Sequence, residues 1–233
     1  MAKTSKKAQQ GNELLENPDA LAEQISRSEK FVKQNFSIVI GAVVVIALII
    51  GGYMYFRSLQ GQKGAEAQQE LFRAQLLFER DSLDRAQFGD GNALGFEQII
   101  EEYSGTDAAN LSHFYMGVIL IKKGEYDAAI EHLNNFSSSD LLVQARAYNL
   151  IGDAYVANGN NVDAASFYDK AAGHNPTEQF SPLYLQKAAI TYEKMEEYEK
   201  AMKRYAQIVE DFPGSSLVNT AKKQKARLEQ MAS

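Results

Sequence analysis

The sequence predicts an all-α protein: a single N-terminal transmembrane helix, then an α-solenoid of about four helical hairpins with a C-terminal capping helix. Three observations carry that prediction. A run of 20 residues near the N-terminus holds no charge; small and bulky residues recur at separations of 35 and 37 further on; glycines and prolines punctuate the pattern where paired helices need turns.

Residues 1–36 read as a polar tail. Lys3, Lys6, Lys7, Gly11 and Pro18 give residues 1–18 no apolar face to bury, and Pro18-Asp19-Ala20 is placed to open a short helix through Glu29. Residues 37–56, SIVIGAVVVIALIIGGYMYF, are the expected transmembrane helix. At about 1.5 Å per residue the run matches the roughly 30 Å hydrocarbon core of a bilayer. Eleven of its residues are Ile, Val, Leu or Phe, which favour insertion by roughly 5 kcal/mol in total. A cleaved signal peptide fits poorly, because 36 residues precede the run and FRSLQG offers no small-x-small cleavage site. Arg27, Lys30 and Lys33 before the run, against Arg57 and Lys63 after it, favour a cytoplasmic N-terminus. Residues 57–233 then form the large domain on the far side of the membrane.

That domain repeats one pattern three times, over Asn110 to Phe136, Ala145 to Pro176 and Pro182 to Pro213. Gly117, Gly152 and Ala189 superimpose. So do Leu120, Tyr155 and Tyr192, then Ala129, Ala164 and Ala201, then Leu133, Tyr168 and Tyr205. Small residues let the two helices of a hairpin approach, and large ones are expected to fill the gap to the next hairpin. Gly124 and Gly159 supply the turn inside the first two hairpins, and Glu196 stands there in the third. Pro176 and Pro213 close the second and third units.

A degenerate unit precedes these, with Leu71, Ala74, Leu77 and Phe78 at helical spacing in its first half and GFEQIIEEYSG in its second. The polar stretch DSLDRAQFGDGN between the halves reads as an inserted loop. Residues 215–231 supply the capping helix, on which Lys222, Lys223, Lys225 and Arg227 form a solvated basic face.

The pattern resembles the tetratricopeptide repeat family, with its aromatic-Leu-Gly-Tyr first helix, its Ala and aromatic second helix and its terminal proline. The resemblance covers residues 65–231 and implies a concave groove lined by the first helices. Its inner positions map to Leu111, Phe114, Val118 and Ile121, then Arg146, Asn149, Asp153 and Val156, then Leu183, Gln186 and Ile190. Such a mixed apolar and amide lining suits an extended or helical polypeptide. The basic set that grips a terminal carboxylate in some family members is missing, with Asn149 the one reminiscent residue.

Chemistry has few footholds here. There is no cysteine or tryptophan, so disulfides and thiolate chemistry are excluded. Residues 57–233 hold 18 basic and 25 acidic side chains, a net negative charge that excludes nucleic acid as a bulk partner. His113 and His132 have no acidic or histidine partner one helical turn on, Glu178 follows His174 only across the helix-ending Pro176, and no phosphate loop, HExxH or GxSxG occurs. Phe88-Gly89-Asp90-Gly91-Asn92 lacks the alternating acids of a calcium loop and reads as a plain turn. We therefore expect no enzyme, no cofactor, no metal site and no small-molecule substrate.

The order of parts is similar to the YfgM family of bacterial Sec translocon ancillary subunits. The matching segments are Lys30-Phe31-Val32-Lys33-Gln34-Asn35 before the membrane run and Gly52-Tyr53-Met54-Tyr55 at its end. The resemblance implies an inner-membrane protein with its repeats in the periplasm. Its implied partners are Sec translocon subunits, a membrane-bound peptidyl-prolyl isomerase and emerging secretory clients, with a chaperone-like role. The ending FPGSSLVNTAKKQKARL also resembles repeat proteins that scaffold outer-membrane or cell-envelope assembly, which is the alternative function.

Overall fold

A computed structural model describes residues 35–231, apart from the side chains at 38, 39, 42, 43 and 53–60. The tail features expected within residues 1–34 lie outside the described residues. Ten helices and no strand occur among them: α1 (Phe36–Glu79), α2 (Leu83–Phe88), α3 (Phe96–Glu102), α4 (Asp107–Lys123), α5 (Tyr126–Asn135), α6 (Leu141–Ala157), α7 (Asn161–His174), α8 (Ser181–Lys194), α9 (Tyr198–Asp211) and α10 (Val218–Met231). The chain divides into two compact units between Leu59 and Gln60.

In the first unit the expected membrane run is helical, forming the N-terminal part of α1, and Val44, Val45, Ile46, Leu48, Ile49 and Ile50 are exposed. Among the described residues, however, no helix is long and apolar enough to cross a membrane.

The second unit is a succession of antiparallel hairpins. Thr106, Asp140 and Asn160 cap α4, α6 and α7, their side-chain oxygens accepting from the backbone N–H of Ala109, of Leu142 and Val143, and of Asp163. Pro182 sits in the first turn of α8, where its missing N–H costs nothing. The pairs α4/α5, α6/α7 and α8/α9 correspond to the three regular repeats, and their inner turns are alike. Glu125, Asn160 and Glu197 each donate their N–H back to Leu120, Tyr155 and Tyr192 at 2.9 Å. The residue before each is left-handed: Gly124 at φ 81°, Gly159 at 78° and Glu196 at 60°.

The core runs along this unit as four buried clusters. Ala67, Leu71 and Ala74 of α1 pack with Phe96 and Ile99 of α3 and Met116, Ile119 and Leu120 of α4. Phe114, Leu133 and Phe136 pack with Ala147 and Ile151 of α6, and Ala164 and Tyr168 of α7 with Ala188 of α8. Leu185, Tyr205 and Ile208 close against Ala221 and Leu228 of α10, the cap.

Two expectations need correction. The stretch after α1 is not merely a loop, for it contains α2, whose Ala86 is fully buried and whose Asp84 and Gln87 each lie 2.6 Å from Lys123 Nζ on α4. Nor do the bulky second-helix residues only fill the gap between hairpins. A Cβ on Gly117 would collide with Leu133, and one on Gly152 would meet the Tyr168 ring at 2.6 Å. Leu133 and Tyr168 therefore fill the hollow over the small residue of their own hairpin while also touching the next.

Candidate functional site

The first helices α4, α6 and α8 carry the eleven candidate groove residues, and the structure sorts them by burial. On α4, Phe114 is 9% exposed and its ring lies 5.2 Å from that of Phe136, tilted by 55°. Leu111, Val118 and Ile121 are half-buried against the same cluster. Phe114 therefore belongs to the core and not to an open groove, because an aromatic at that position reaches the next hairpin.

On α6, Arg146 is exposed, whereas Asn149, Asp153 and Val156 are half-buried. Asn149 and Asp153 are bound to each other and to Lys187 of α8. The Lys187 ammonium donates to both Asp153 carboxylate oxygens at 2.7 and 2.9 Å and to Asn149 Oδ1 at 2.8 Å. Tyr168 OH completes the group, donating to Asp153 Oδ1 at 2.6 Å. Burial, then the bond to that carboxylate, hold the Tyr168 phenol far above its ordinary pKa, so it remains a donor.

On α8, Leu183 is 43% and Ile190 45% exposed, with Gln186 half-buried between them. Leu183, Lys187 and Ile190 lie at i, i+4 and i+7, one stripe of the helix. This face consequently presents two open apolar side chains beside a neutralised ion pair. An anion approaching Lys187 meets the Asp153 carboxylate already in place, which agrees with the missing basic set for terminal carboxylates. Lys187 is the residue that sequence reasoning missed, although its place on the Leu183 stripe was there to be read.

The second helices carry their own polar ties. Arg204 of α9 donates from Nε and Nη2 to the two Asp169 oxygens at 2.6 and 2.7 Å, a bidentate pair joined by Tyr192 OH at 2.9 Å. Asp169 and Arg204 border an open cavity of about 660 Å³ lined also by Ala172, Pro176, Leu185 and Phe212. The Arg204 guanidinium in this cavity is thus already matched by a carboxylate.

Residues 114–178, and separately residues 184–215, match the tetratricopeptide repeat family. Both stretches are tetratricopeptide repeats. They overlap the three regular hairpins, starting within α4 and within α8, and the repeats suggest a protein-protein interaction module. No curated protein matches the chain. The earlier unit built from α1 and α3 lies outside the matched residues. Among the described residues no cluster of three His, Cys, Asp or Glu side chains is placed to hold a metal ion. The Asp90 turn is a plain one, its Oδ1 accepting from the N–H of Asn92 and of Ala93, each at 3.0 Å. Those two bonds hold the Asp90 carboxyl below its ordinary pKa.

Proposed function

We propose that the protein is a membrane-anchored interaction module whose first-helix face receives segments of other polypeptides. The observation that carries this reading is the pair Leu183 and Ile190, large apolar side chains left nearly half exposed on a repeat helix whose polar neighbours are internally satisfied. Lying two turns apart on one stripe of α8, they offer an apolar strip that a partner can cover. An extended or amphipathic chain laid along α8 would cover them while Arg146 supplies a polar contact at the rim.

The anchor in this reading is residues 37–56, supported by their uncharged sequence and by the exposure of the side chains over 44–50. The charge bias around that run favours a cytoplasmic N-terminus and periplasmic repeats. The resemblance to YfgM supports a chaperone-like ancillary subunit of the Sec machinery in the bacterial inner membrane, meeting translocon subunits, a membrane-bound peptidyl-prolyl isomerase and emerging secretory chains.

Photo-crosslinking probes at Leu183 and Ile190, with Val162 on α7 as an exposed control, test the proposal in intact membranes. Translocon subunits and diverse secretory proteins captured from the first two positions and not from the third are the expected result. Capture of one fixed envelope protein would favour the scaffold function instead, and equal capture from all three positions would remove the groove reading.

A further inference from the structure

We propose that His113 and His132 form a two-imidazole clasp for a divalent cation of the nickel, copper and zinc class, closing hairpin α4/α5. Neither residue has a role in the interaction reading above, and the inference stands apart from it. The two histidines lie 19 residues apart in sequence yet meet across the hairpin, Nδ1 to Nδ1, at 3.1 Å. Their ring centroids are 5.1 Å apart and the planes are tilted by 44°.

The separation decides what the pair can hold. Two nitrogens bound to zinc at about 2.0–2.1 Å lie about 2.9 Å apart at a right angle and about 3.3 Å apart at the tetrahedral angle. The observed 3.1 Å falls between those limits, so the atoms already stand at the spacing of a chelate. Imidazole nitrogen is also the ligand type these cations prefer. In the metal-free pair one Nδ1–H donates to the other Nδ1. When the cation enters, the donor ring takes its Nε2–H tautomer, both Nδ1 lone pairs turn to the metal, and no net proton is lost.

Burial lowers the pKa of both imidazoles, and His132 lowers that of His113 further; Glu131 opposes this at both rings, and Glu97 of α3 opposes it at His132. No third His, Cys, Asp or Glu completes a set among the described residues. His113, however, also lines an open cavity of about 420 Å³ with Thr106, Asp107, Asn110, Asn135 and Ser137. Water entering there takes the remaining coordination positions, which makes this a weak, exchangeable clasp and not a structural zinc site.

Calorimetric titration of Zn²⁺ into the full chain in mild detergent at pH 7.5 tests the inference. One equivalent is expected to bind, weakened at least tenfold by His113→Gln and by His132→Gln and unchanged by His174→Gln. Nitrogen-15 spectra of the wild-type imidazoles give a second readout that no folding defect can imitate, with the Nδ1 resonances of His113 and His132 moving on Zn²⁺ addition. Absence of saturable binding, binding that survives both substitutions, or shifts confined to Nε2 or to His174 would overturn it.

Discussion

At Gly152 the backbone of α6 comes so close to α7 that the Tyr168 ring occupies the place a side chain would take. Alanine there gains helix propensity of roughly 1 kcal/mol but forces an overpacked contact costing roughly 1–3 kcal/mol. Gly152→Ala is therefore expected to lower stability by up to about 2 kcal/mol in urea denaturation, and a gain would show that the ring gives way freely. The opposite substitution suits Glu196, a non-glycine at φ 60° in a turn where the other two repeats use glycine. Glu196→Gly relieves left-handed strain at some entropic cost, and a rise of about 0.5–1 kcal/mol in the same assay is expected; no change would place the strain elsewhere. His113 and His132 make a prediction in pH. Burial lowers both values from 6.5, so between the folded values and 6.5 the unfolded chain binds more protons. Their contribution is present above that window and is lost as pH falls through it. The melting temperature should drop below pH 6.5 more steeply in the wild type than in a His113→Gln, His132→Gln double variant, and parallel curves would exclude the pair as the cause.

Between elements, Asp153, Lys187, Asn149 and Tyr168 form a polar tie that bridges the neighbouring repeats of α6 and α8. Its ionic side chains are about a third exposed, so solvent screens the attraction and the pair contributes on the order of 1 kcal/mol. A double-mutant cycle with Asp153→Asn and Lys187→Met should return a coupling of about that size, shrinking in high salt; a coupling near zero would mean the bridge only decorates the face. The helices themselves were legible in the sequence, because small and bulky residues at fixed separations set both their number and their partners, and the caps and turns fell at Gly124, Gly159, Pro176 and Pro213. The bridge was not legible. Lys187 and Asp153 are 34 residues apart, and periodicity along one helix says nothing of which side chains meet across two. Phe114 failed for the same reason, since its position in the repeat matches the inner face while its size sends it into the Phe136 cluster. Helix α2 was hidden because six residues set among Asp81, Ser82, Gly89 and Asp90 look like a loop until Lys123 is seen to hold them.

For the tetratricopeptide unit as a whole, stability should pass from neighbour to neighbour, because each hairpin buries its core mainly against the next. The cap is the place to test this. Helix α10 buries Ala221 and Leu228 against Tyr205 and Ile208, and Arg227 pairs with Glu193, which in turn accepts the Tyr205 hydroxyl at 2.8 Å. Ending the chain after Gly214 removes that cover and exposes the apolar end of α8/α9. Loss of one buried leucine and its neighbours weakens the last repeat by about 2–5 kcal/mol, while α4 and α5, two interfaces away, keep every contact they had. Hydrogen exchange should accordingly show protection lost in α8 and α9, reduced less in α6 and α7, and unchanged in α4 and α5. Uniform loss across all six helices would mean that the repeats unfold as one cooperative block, and the nearest-neighbour account would then fail. A graded loss has a functional corollary, since Leu183 and Ile190 sit on the repeat that the cap supports most directly. The truncated chain should lose crosslinks from those two positions at temperatures where α4 and α5 are still fully folded.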